Sequence, residues 1–67
     1  MPFIQITLGA GHDEACKREL LAGVSAVAAQ VTGTPEAAFR VWIVEVPATE
    51  VMVGGTILAD SRMQASP

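Results

Sequence analysis

FRVWIVEV, residues Phe39 to Val46, is the stretch that decides the fold. Apart from Arg40 and Glu45 it is an unbroken run of apolar residues, most of them β-branched or aromatic. Such a run predicts a strand, and the lack of alternation predicts one covered on both faces. Upstream, Leu20, Val24, Val27 and Val31 recur at helical spacing, and Leu21 and Ala28 widen the stripe. Asp13 and Glu14 are acids where a helix N-terminus favours them, and Gly33 followed by Pro35 is a stop signal. The spacing therefore predicts a helix from Asp13 to Thr32. Further upstream, Phe3 to Leu8 reads as another strand, separated from the helix by the loop Gly9 to His12. Strand, long helix, strand is a βαβ unit, with parallel strands and a right-handed crossover. Downstream of PATE, the run VMVGGTIL places two apolar triplets around Gly54-Gly55, the pattern of a β-hairpin. Residues 59–67 show no periodicity and are expected to form a flexible tail. The expected fold is α/β: one domain over residues 1–67, a βαβ unit with a short C-terminal hairpin.

A chain of 67 residues is marginal for a core of its own. One cysteine, Cys16, and one histidine, His12, exclude an internal disulfide and argue against a structural zinc site. Oligomerisation is the remaining staple. With 51% hydrophobic and 16% charged residues, there is more apolar surface than a monomer can hide. Two parallel strands and one helix leave open edges and a bare face, so we expect a dimer with a four-stranded sheet and a hairpin that reaches a further dimer. The net charge of −3, with four Lys and Arg, argues against nucleic acid as a partner. No apolar run approaches a membrane span, and MPFIQITL lacks the basic head of a signal peptide. A soluble cytoplasmic protein is expected.

Pro2 stands directly behind Met1 at the head of the first strand. Proline is harmless at a strand's first position, which is one reading. If Met1 is removed, however, the ring nitrogen becomes a secondary amine. An α-amino group titrates at about 7.7–8.0, near neutrality, and burial or a nearby cation lowers that value. Such a group suits proton transfer.

Pro2 before a strand, Gly11 before an acidic helix start, Lys17, Arg40 opening RVWIVEV, and Val53-Gly54-Gly55 together resemble the tautomerase superfamily, specifically its short 4-oxalocrotonate tautomerase-like subunits. The resemblance covers almost the whole chain. It implies hexamers built as trimers of dimers, with sites shared between subunits, no metal or cofactor, and a role in aromatic-compound catabolism. It implies Pro2 as general acid and base, and Arg40 as the group that binds a substrate carboxylate. The plain alternative for Arg40 is an exposed strand-start arginine, or an ion pair with Glu45 or a neighbouring chain.

Two positions depart from the family pattern. His12 stands where the family usually has a second arginine; the adjacent helix N-terminus disfavours its protonation, so it is expected to orient substrate through a hydrogen bond rather than clamp a second carboxylate. Val51 replaces a frequent aromatic and is expected to line an apolar wall. Trp42 reads as core. His12 and Cys16, four residues apart, lack the further ligands of a metal site. Met52 stands where relatives that hydrate their substrates carry an extra acid, which ranks hydration below tautomerisation.

The expected function is cofactor-independent enol/keto tautomerisation of a small 2-hydroxydienoate or enol-pyruvate type carboxylate by a homo-oligomer. Two alternatives stand beside it: a weakly active or non-catalytic subunit of a hetero-hexamer, and a small non-enzymatic βαβ binding or oligomerisation module.

Overall fold

The computed structural model describes residues 2–65. Strand β1 spans Phe3–Gly9 and pairs in parallel with β2, Arg40–Val46, in a register that sets Phe3 opposite Arg40 and Gly9 opposite Val46. The crossover is helix α1, Glu14–Thr32. Asp13 caps its N-terminus, its side chain accepting a 2.8 Å hydrogen bond from the Cys16 N–H. Gly33 closes the other end in the left-handed region at φ 73°, its N–H donating to Ala29 O. Strands β3, Met52–Val53, and β4, Thr56–Ile57, form the expected antiparallel hairpin. Gly54 and Gly55 both have positive φ, 57° and 88°, which a primed two-residue turn requires.

Three expectations are corrected. Residues 59–65 are not a structureless tail: Leu58–Ala65 forms helix α2, which packs on the 3-10 turn Ala48–Glu50 and on β4. The stretch is mostly residues of good helix propensity, but eight residues are too few to display a helical period. The remainder of the expected tail, residues 66 and 67, lies outside the described residues.

Strand β2 is not covered on both faces within one chain. Val41 and Ile43 are half-buried beneath α1, whereas Arg40, Trp42 and Val44 are exposed. Trp42, expected in the core, is 41% exposed and meets Phe3 edge-on with ring centroids 6.3 Å apart. Phe39 is the only buried hydrophobic residue among those described. The radius of gyration, 15.7 Å, exceeds the roughly 11 Å of a compact chain this long.

The helix shows the same shortfall. Leu20 and Val24 of the predicted stripe are half-buried, but Val27 and Val31 lie bare. All four line an open apolar groove of about 640 Å³ along α1. Apolar surface on both the sheet and the helix is left for other chains to cover.

Candidate active site

The parallel register fixes where each candidate residue lies. Pro2 precedes β1 and Arg40 opens β2, so both stand at the same end of the sheet. The Arg40 N–H donates to Pro2 O at 3.1 Å, joining the two residues across the first rung of the ladder. Pro2 is half-buried and Arg40 exposed. The Arg40 guanidinium is anchored by Nη1, which donates to Ala37 O and Phe39 O, each at 3.1 Å. Neither acceptor carries a full charge. The alternative ion pair with Glu45 is not made: the two residues stand five apart on one strand, roughly 16 Å along it and on opposite faces, and Glu45 pairs with Lys17.

His12 and Val51 are at the opposite end. Strand β1 carries the chain roughly 20 Å away from Pro2 before the loop begins. Ala10 N–H donates to Val46 O at 3.0 Å, extending the ladder by one bond, and Gly11 turns the chain at φ 126°. That conformation favours glycine and brings His12 to the start of α1. His12 is exposed, its Nδ1 3.9 Å from Cys16 Sγ. No cluster of three or more metal-ligating side chains occurs among the described residues. Val51 lines a pocket of about 330 Å³, together with Thr7, Leu8, Val46, Ala48, Leu58 and the backbone at Gly9 and Ala10. Its N-terminal neighbour Glu50 ends the 3-10 turn, and Val51 O accepts from Leu58 N–H at 2.7 Å. That bond ties the pocket wall to α2.

One chain thus brings together Pro2 with Arg40, and His12 and Val51 lie at the other end. The sequence reading had sites shared between subunits, with Arg40 supplied by another subunit than Pro2; within one chain the parallel register instead sets Pro2 beside Arg40, because residues heading both strands share an end and the loop after β1 belongs to the other. That reading missed the Lys17–Glu45 pair, which ties α1 to β2. The hydrogen bond to Glu45 holds the Lys17 ammonium above the ordinary lysine value.

Known proteins of one family match this chain. The family described as "Tautomerase enzyme" matches residues 2–61, nearly all of the chain. The chain belongs to the tautomerase family. It is therefore an enzyme of the isomerase class. A tautomerase of Pseudomonas putida, the 2-hydroxymuconate tautomerase, is 47% identical over 47 residues, covering 70% of this chain and 75% of that protein. Among solved structures, a 4-oxalocrotonate tautomerase homologue of the tomaymycin biosynthetic pathway superposes with a TM-score of 0.92 at 34% identity, covering 97% of this chain and all of that one. A heterohexamer 4-oxalocrotonate tautomerase from Chloroflexus aurantiacus J-10-fl gives 0.84 at 38% identity, covering 90% and 97% of the two chains. The tautomerase βαβ unit and hairpin are thus this chain's fold. No described helix is long and apolar enough to cross a membrane.

Proposed function

We propose that this tautomerase catalyses enol/keto proton transfer on a small 2-hydroxydienoate or enol-pyruvate type carboxylate, with Pro2 as the proton carrier once Met1 is removed. The observation that carries the reading is the first rung of the ladder. It joins Pro2 to an arginine whose guanidinium meets only backbone carbonyls among the described residues.

Pro2 nitrogen, as the free amine, takes the proton from the enol hydroxyl. The oxygen electrons collapse to C=O, and the conjugated carbon receives the same proton from the prolinium, so the amine is regenerated. Arg40 grips the carboxylate with two charge-assisted hydrogen bonds and stabilises the negative charge that develops in the dienolate. His12 orients a substrate oxygen, and Val51 supplies an apolar wall. Because His12 and Val51 lie at the far end of their own sheet, they serve the Pro2 of another subunit. A homo-oligomer, hexameric in the main reading, brings the two ends together, and the exposed apolar surfaces of α1 and the sheet are what such an assembly would cover. Proton transfer of this kind calls on no cofactor.

The test is intact mass together with an NMR titration of the Pro2 nitrogen. The expected result is a chain lacking Met1, with a proline amine titrating below the usual α-amino range. A retained Met1, which makes Pro2 an amide, or an amine at or above that range, counts against the mechanism.

The division of the site between two ends also favours a second reading: a subunit of a hetero-hexamer in which a different chain completes each site. Purifying this chain alone decides between them. A homo-oligomer active without a partner removes the second reading.

A further inference from the structure

Arg40 is anchored in two ways. Its backbone is fixed by the ladder, through the bond from its N–H to Pro2 O. Its guanidinium is fixed by the segment that leads into β2, where Nη1 donates to Ala37 O and Phe39 O. An arginine side chain has many rotamers, so the guanidinium is only as well aimed as those two carbonyls are.

The carbonyls belong to a 3-10 turn, Glu36–Ala38, and to Phe39, which closes it. Within the turn, Ala38 N–H donates to Pro35 O at 2.9 Å and Phe39 N–H to Glu36 O at 3.1 Å. Two bonds of 3-10 geometry are a weak hold by themselves. Phe39 is buried and secures the exit of the turn. The entrance is secured by α1: Ser25 Oγ donates to Glu36 Oε2 at 3.1 Å, across eleven positions of sequence.

Ser25 is an unusual choice for the interior of a helix, where serine is a below-average former. Thr32, on the same helix, spends its hydroxyl on the helix backbone, donating to Ala28 O at 2.7 Å. The Ser25 hydroxyl instead leaves the helix for a carboxylate, a stronger acceptor than a neutral oxygen. Ser25 is half-buried and Glu36 exposed, so the bond adds little to a core. What it does is join a rigid helix to the turn that holds Arg40.

We infer that Ser25 is a positioning residue for Arg40: through Glu36 it fixes the 3-10 turn whose carbonyls aim the guanidinium. The inference rests on the carboxylate-binding role proposed above for Arg40.

The experiment is a double-mutant cycle on the purified oligomer, with phenylenolpyruvate as the substrate: the unaltered chain, Ser25→Ala, Arg40→Gln and the two together. Ser25→Ala should raise KM by about three- to tenfold with a smaller change in kcat, because the loss falls on carboxylate binding. In the Arg40→Gln background the same substitution should have no effect, since no guanidinium is left to aim. Ser25→Thr, which keeps the hydroxyl, should restore KM, and Glu36→Ala should reproduce Ser25→Ala. An unchanged KM in Ser25→Ala, with Arg40→Gln still raising it, overturns the positioning role and leaves the reading of Arg40 standing. An effect of equal size with and without Arg40 makes Ser25 a purely structural residue and also overturns it. If Arg40→Gln itself leaves KM unchanged, or the unaltered chain turns over no phenylenolpyruvate, the reading of Arg40 falls and the positioning role with it.

Discussion

The two ends of the β1–β2 sheet are built differently. At the end holding Pro2 and Arg40, the position of each residue is set by the ladder itself: a backbone hydrogen bond between them, and two further bonds fixing the guanidinium. Phe39, the one buried hydrophobic, lies immediately before Arg40. At the end holding His12 and Val51, a glycine turn, a capped helix start and a 3-10 turn do the positioning, and the result is a pocket whose described lining is uncharged, beside an exposed imidazole. The first end carries groups suited to moving a proton and holding an anion. The second carries groups suited to recognising shape. Neither is a complete site, so the contrast itself calls for a second chain.

The comparison is most easily broken at the Pro2 nitrogen. Blocking the Pro2 nitrogen by N-acetylation, which removes its basicity, should lower kcat/KM by about 10²–10⁴, the usual contribution of a general acid–base group, with circular dichroism and oligomer size unchanged. If activity persists, the first end is not the chemical one.

Phe39→Ala should follow in size, destabilising the protein by about 3–5 kcal/mol in a urea titration, since it empties the one buried site next to Arg40. A loss below about 1 kcal/mol would mean that the packing at this end comes from elsewhere. Arg40→Gln should raise KM for carboxylate substrates by about 10–100-fold through loss of the charged hydrogen bonds, while the Pro2 amine still titrates, shifted upward by loss of the nearby cation. An unchanged KM would assign the carboxylate to another group.

Smaller effects test the other end. Asp13→Ala removes the cap that starts α1 beside His12 and should cost about 1 kcal/mol in thermal melts. Smallest is the tie between helix and sheet. The folded chain holds the Lys17 proton more tightly than the unfolded chain does, so the Lys17–Glu45 contribution is complete below the ordinary lysine value of 10.5 and is lost as pH rises through the folded value. Melts in that alkaline range should show a small decline that Glu45→Gln abolishes.

Much of this was legible in the chain. The caps Asp13 and Gly33, the apolar run of β2 and the Gly54-Gly55 turn are local signals, each acting on near neighbours, and the elements they predict are present. The parallel pairing followed from the length of the crossover. Trp42 and the β2 run were misread because an apolar strand reports that both faces will be covered without reporting by whom. Helix α2 escaped because its eight residues carry no period and it leans on β4 and the Ala48–Glu50 turn.

The sequence by itself determined the βαβ unit, the hairpin, their order and the identity of the candidate residues, because propensity, capping and turn chemistry act over a few residues. Only the tertiary structure decided that Glu45 is taken by Lys17, that the Arg40 guanidinium meets backbone carbonyls among the described residues, and that the described lining of the Val51 pocket is uncharged. Those outcomes depend on strand register and on contacts between segments far apart in the chain, and no local pattern encodes them.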